Sequence, residues 1–291
     1  MNAIRLVPQA HQSERAVPPL GTVERWCFDF IASRALADKL APRRAPEVGD
    51  ARNWELDAPE RRIAAPGRPP ELAVVARSPS APRAEALAKT QARARLLHTF
   101  VHHELQAAEL FAWAVLAFPR APLEFRAGLV RLCREELAHM NLYVDHMRSL
   151  GANFGDHPVR DWFWQRVPKC PDAASFVALQ GLGLEGANLE HSARFAAQFR
   201  AVGDEAGARI LERVERDEIA HVAFAVRWFE RFSGAPLAYD TWRAALPAPL
   251  TPALMQGRPL NRDARRRAGL DDAFLERLAG EPPIISRRPG E

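Results

Sequence analysis

The chain has 291 residues, 47% of them hydrophobic, and a formal net charge of +4. That length suits one large domain, or one domain with long flanking arms, and the apolar content is enough to fill a sizeable core. No run approaches the roughly eighteen apolar residues of a membrane helix, and the first residues lack the apolar stretch of a secretory signal, so a cytoplasmic protein with no membrane partner is expected.

Cys27, Cys133 and Cys170 are odd in number and far apart. No Cys-x-x-Cys pair is present, which excludes a zinc ribbon and a rubredoxin-type iron site and leaves three reduced, partly buried thiols. The basic excess is almost all arginine, since only Lys39, Lys89 and Lys169 are lysines, as in proteins of GC-rich genomes. These charges are spread along the chain, so nucleic acid is only weakly supported as a partner. The densest cluster, RDARRR from Arg262 to Arg267, reads as a solvated helix face rather than a phosphate clamp.

In chain order, residues 22–40 have helical period, with Thr22 as N-cap. A Pro/Arg-rich arm follows over 41–84, where repeated prolines forbid long helices. It reads either as an ordered arm wrapping the domain or as a linker. A helix is predicted over 85–117, ending at FPRAP, and a second over 122–150, stopping at Gly151. An irregular crossover leads to a third helix over 173–200. A short AVGDE turn joins it to a fourth over 205–232, which stops at Gly234. The tail, 235–291, is Pro-rich with one or two short helices, the last near 271–279. Two tight hairpins and a long crossover describe an all-α four-helix bundle of ferritin-like connectivity. The expected organisation is an N-terminal helix and arm (1–84), a bundle (85–234) and a C-terminal tail (235–291).

The second predicted helix contains EELAH, which gives Glu136-x-x-His139, and the fourth contains DEIAH, which gives Glu218-x-x-His221. Residues three apart share a helix face, so carboxylate and imidazole can reach one metal ion. One such motif arises by chance in many helical proteins. Two, each on the second helix of a hairpin, match the di-iron and di-manganese carboxylate bundles, which add one Glu from each of the other two helices.

Those helices offer Glu104 or Glu109, and Glu185 or Glu190. In an antiparallel hairpin, residues equidistant from the turn lie level. The first turn centres near position 120, so Glu136 mirrors to about 104. The second centres near 202–203, so Glu218 mirrors to 186–188, with Glu185 nearest. Glu109 would sit about 7.5 Å off level at 1.5 Å per residue. The stripes 97, 100, 101, 104, 108, 111, 115 and 211, 214, 218, 221, 222, 225 are apolar except at the proposed ligands. Buried carboxylates must be paired or bound to metal, and hard oxygen with imidazole suits iron or manganese.

Any one of these residues alone would read as an ion-paired or hydrogen-bonded core group. All six together, spaced 32 and 33 residues apart in the two hairpins, favour a metal centre. Glu109 and Glu190 are expected to be supporting or surface groups, and His98 and His102 structural. Glu135 is expected to point away from the centre, and Trp113, Trp162, Trp164 and Trp228 to be core.

The segments LLHTFVHHELQAAELFAWA, REELAHMNLYVDHMRSLG, LGLEGANLEHSARF and RDEIAHVAFAVRWF resemble the ferritin-like superfamily. Within it they are similar to a bacterial ferritin-like family of unassigned function. The likeness extends to GRPPEL before the bundle and LNRDARRRAGL after it, roughly residues 65–280. A typical member has HIEL where this chain has HHEL, and LEARGLD where it has LEGANLE, which preserves the glutamates at 104 and 185. Position 190, Glu here, is also Asp in relatives. The resemblance implies Glu104, Glu136, His139, Glu185, Glu218 and His221 as ligands of two Fe ions, with Mn or mixed Fe/Mn as alternatives.

More distantly, the pattern is similar to the bacterial hydroxylase of a modified adenosine in tRNA, to rubrerythrins and to ferritins. Rubrerythrin would need four further cysteines, and ferritin a compact cage-forming subunit. The expectation is a di-iron oxidoreductase that activates O2 or peroxide, acts on an unknown substrate and takes electrons from an external donor. The alternatives are an iron-binding or ferroxidase-like protein without an organic substrate, and a tRNA-modifying hydroxylase. A homo-oligomer is compatible with either.

Overall fold

The computed structural model describes residues 17–77 and 82–282, and its long elements are four helical rods in two hairpins. The first hairpin is α3 (Thr90–Ala117) and α4 (Leu123–Ser149). In the second, the third rod is continuous but not uniform. It begins as α5 (Ala173–Phe176), continues as a π-helical stretch (Val177–Glu185) and ends as α6 (Gly186–Ala201). Helix α7 (Glu205–Ser233) completes the pair. Smaller helices flank the rods: α1 (Val23–Ala32), α2 (Leu36–Leu40), α8 (Tyr239–Ala245), α9 (Arg262–Arg267) and α10 (Asp272–Ala279). The bundle is all-α. Among the described residues, the one β-type pairing is a bridge between Val74 and Val159.

Local chemistry explains the rod ends. The Asp204 side chain accepts from the Gly207 N–H and caps α7, which stops at Gly234 in the left-handed conformation (φ +70°). Asp172 and Ser175 form a reciprocal capping box at the start of α5. Helix α3 shows why arms are needed, because every residue from Glu104 to Ala117 is buried. A helix apolar all round must be covered on all sides. Helix α4, α1, the Pro-rich arm and the crossover supply the cover. Arg61 N–H donates to Leu116 O, and Trp113 Nε1–H donates to Ile63 O. Residues 61–63 of the arm are therefore held against the bundle.

The structure corrects two boundaries. The helix predicted over 22–40 is broken between Ala32 and Leu36, although Thr22 caps its start as expected. The break lets Lys39 turn inward, where its ammonium donates to the carbonyls of Phe30 and Ile31. Residues 85–88, placed in the first long helix, belong instead to a 3-10 turn (Ala84–Ala88), and the α-helix starts at Thr90.

The π stretch is supported from outside. Trp242 Nε1–H of α8 donates to Ala178 O, and Arg265 of α9 donates to Gly186 O. Such winding leaves backbone groups that a regular helix would satisfy itself. Glycine makes the close approach possible: a Cβ at Gly181 would lie 2.4 Å from Ala225 Cβ of α7.

Candidate metal centre

All six predicted residues meet in the middle of the bundle, and all are buried. Their ligand atoms form two overlapping groups: Glu104, Glu136, His139 and Glu218, and Glu136, Glu185, Glu218 and His221. Within each group the atoms lie within 4.8 Å of one another. Glu136 and Glu218 belong to both. Glu104 and His139 mark one end, Glu185 and His221 the other. The structure brings Glu104 and Glu185 into these groups and leaves Glu109 and Glu190 outside both. Glu185 falls one residue short of the mirrored range, at the last residue of the π stretch, whereas the mirror argument assumes uniform helices.

Both imidazoles present Nδ1 to the centre. His221 Nδ1 lies 2.8 Å from Glu136 Oε1 and 3.0 Å from Glu218 Oε2. His139 Nδ1 lies 3.5 Å from Glu136 Oε2 and 3.9 Å from Glu218 Oε1. None of these contacts is aligned as a hydrogen bond. Both oxygens of Glu136, Oε2 of Glu218 and both Nδ1 atoms are buried without a hydrogen-bond partner. Groups of this kind are strongly penalised unless something satisfies them.

The outer nitrogens are satisfied, and in a reciprocal way. His221 Nε2 lies 2.8 Å from Glu135 Oε2, and His139 Nε2 lies 3.2 Å from Asp217 Oδ2. Each carboxylate immediately precedes the inward Glu of the opposite helix. A carboxylate oxygen accepts, so in the neutral imidazole Nε2 carries the proton and the Nδ1 lone pair faces inward. Glu135, expected to point away, therefore grips a central imidazole. Its signal was present in the sequence, since both motifs open with an acid before the ligand Glu. Asn188 donates to Glu218 Oε1 at 2.9 Å, and Gln180 donates to Glu185 Oε1.

The electrostatics point the same way. Burial, followed by Glu136, pushes the Glu104 carboxyl well above its usual range; burial with Glu136 and Glu218 does the same to Glu185. Burial also works against ionised Glu136, but His221 and His139 outweigh it and hold that carboxyl low. Burial disfavours the His221 cation, yet Glu218 and Glu136 raise its pKa well above the normal imidazole value. Among the described residues, none of the four carboxylates is ion-paired to Lys or Arg. A metal cation would satisfy the converging oxygens and both Nδ1 atoms at once, so the buried carboxylate and imidazole groups can hold a metal ion.

The other candidates divide differently. Glu109 is wholly buried but belongs to a separate cluster. It accepts from Lys39 Nζ and Arg68 Nη1, both at 2.7 Å, and from Trp164 Nε1 at 2.8 Å. Burial opposes its ionisation, but Arg68 and Lys39 hold its carboxyl low. Glu190 accepts from Arg265 Nε and Nη2, both at 2.8 Å, and from the Gly257 and Asn261 N–H groups. Neither glutamate is a surface group. Arg265 is fully buried, so the RDARRR cluster is not a uniformly solvated face. His98 Nε2 accepts from Gly155 N–H, and His102 Nε2 lies 3.2 Å from Asp161 Oδ1, so both are structural. Trp113, Trp164 and Trp228 are core, whereas Trp162 is half-buried on a cavity wall. All three cysteines are free and buried.

That cavity, about 380 Å³, lies beside the centre, with Glu104 and Glu185 in its lining. It lies between α3 and α6, with Trp162 and Phe163 of the crossover along one side. No helix is long and apolar enough to cross a membrane among the described residues.

A family model described as "Protein of unknown function (DUF455)" matches residues 31–276. An uncharacterized protein of Haemophilus influenzae is 30% identical over 148 residues, which is 48% of this chain and 51% of that protein. The chain thus spans about half the length of the curated relative it matches. No solved structure matches it. The family match runs from the end of α1 through the bundle into α10, and on that ground the chain belongs to the DUF455 family.

Proposed function

We propose that the six side chains form a dinuclear iron centre of ferritin-like type, and that the protein is an oxidoreductase acting with O2 or peroxide. The observation that carries this reading is the pair of overlapping ligand groups that share Glu136 and Glu218. Each end has its own Glu and His, and Glu136 and Glu218 belong to both groups. Two bound irons would supply redox chemistry and Lewis acidity, and manganese would suit the same donors.

The chain's own residues prepare the site. Glu135 and Asp217 hold the Nε2 atoms of His221 and His139, so both Nδ1 atoms face the centre and bind metal with release of any proton they carry. Asn188 and Gln180 each donate to one oxygen of Glu218 and Glu185, leaving the other oxygen of each carboxylate free. The chain carries no rubredoxin-like cysteines, so electrons come from a separate donor. The cavity that reaches Glu104 and Glu185 favours an organic substrate over iron handling alone.

The test is O2 uptake by protein loaded anaerobically with Fe(II), with Glu218→Ala as control. Uptake at about one O2 per two irons, abolished in the variant, is expected. Oxidation no faster than that of free Fe(II) in buffer would contradict the assignment.

A further inference from the structure

The cavity beside the centre is polarised along its length. At one end its lining contains two carboxylates, Glu104 and Glu185. At the other it contains Arg194 of α6, nine residues beyond Glu185, or about 13 Å along a helix. Between them the walls are mainly apolar and aromatic. Phe100 packs on Phe195 with ring centroids 5.1 Å apart and on Tyr143 at 5.5 Å. Arg194 lies over the Phe195 ring, 4.6 Å from its centroid, and among the described residues it has no carboxylate partner. Thr99, His103 and Arg194 are exposed, so solvent reaches the cavity past them. An unneutralised guanidinium at one end of an aromatic slot is a recognition element for an anion.

We infer that this cavity binds an amphiphilic anion, an extended apolar body with one terminal carboxylate or phosphate. The anionic group pairs with Arg194, and the far end of the apolar body reaches the Glu104–Glu185 wall. The length fits a chain of about ten carbons, given C–C bonds near 1.5 Å. The reverse orientation leaves the guanidinium without a partner. Which end reacts rests on the metal reading above; that the cavity binds such a ligand does not.

Calorimetric titration of the full chain with decanoate, decyl phosphate and decanol tests this. At least one of the two anions is expected to bind at one per chain, and the tighter of them identifies the anionic group. Arg194→Gln should weaken that anion about tenfold and leave decanol within about twofold. Thr99→Trp, at an exposed position on the cavity rim, should weaken all three, with circular dichroism confirming the fold. An Arg194→Gln variant that binds the anions as well as wild type would overturn the inference, and so would a wild type that binds neither. Metal content is measured on the same samples. Anion binding without metal contradicts only the dinuclear reading, and metal without anion binding contradicts only this one.

Discussion

Helix α3 and the rod that includes α6 each carry two buried glutamates five residues apart, Glu104 with Glu109 and Glu185 with Glu190. The second of each pair faces protein cations: Lys39 and Arg68 for Glu109, Arg265 for Glu190. The first faces other carboxylates. Equally buried groups on the same helices therefore have opposite surroundings. Where the chain supplies the counter-charge, the glutamate clamps an arm to the bundle: the N-terminal segment and crossover through Glu109, the C-terminal tail through Glu190. Where it supplies none, the place of the counter-charge can be taken by an external cation. Burial of an acid alone does not distinguish a clamp from a ligand; what faces the acid does.

The largest effect should come from breaking a clamp. Glu109→Gln leaves Lys39 and Arg68 buried against a neutral amide. Urea denaturation should show a loss of about 3–5 kcal/mol. The folded fraction should keep its full metal content; loss of metal in proportion to the centre variants would erase the distinction between clamp and ligand. A smaller effect should follow from removing the carboxylates that hold the imidazoles. Glu135→Ala should weaken metal binding at the His221 end about 10–100-fold, and Asp217→Ala at the His139 end by a similar factor. Competition with a chelator measures both.

Smaller still, and opposite in sign, is the effect of Glu104→Gln on chelator-treated protein. Removing one uncompensated carboxyl should raise unfolding free energy by about 1 kcal/mol, whereas the same change at Glu109 lowers it. An effect of similar size is on the acid limb. Burial opposes the ionised form of Asp161, but His102 and Arg68 hold its carboxyl at about 2, and the Glu109 carboxyl is also depressed. A depressed carboxyl contributes stability that is present above its unfolded pKa, near 4, and lost as pH falls through its folded pKa. Asp161→Asn should therefore lower stability at pH 7 by about 1 kcal/mol after solvent screening, and flatten the loss of stability between about pH 4 and 2, where the wild type gives up the same contribution.

The bundle and its centre were legible because both leave periodic marks. Helical spacing exposes an acid on an apolar stripe, and hairpin symmetry selects Glu104 and Glu185 from four glutamates. The clamps were not legible in the same way. Lys39 and Glu109 are 70 residues apart and Arg265 and Glu190 are 75, with nothing local to link them. An arginine in RDARRR looks solvated until the tail is seen to fold over the π stretch. That stretch was hidden as well, since VALQGLGLE is apolar enough to read as ordinary helix. The outer carboxylates Glu135 and Asp217 lie between these cases. The paired sequences EExxH and DExxH announce them, but only the crossed geometry shows which imidazole each one holds.

The most direct test of the account is the metal content per chain, after Fe(II) reconstitution and desalting, of wild type and Glu104→Ala/Glu218→Ala. The account predicts about two ions per wild-type chain, largely lost in the variant while Glu109→Gln keeps them. Wild-type protein that is folded but holds no metal would contradict it, because the four central carboxylates would then be buried without the cation their arrangement requires.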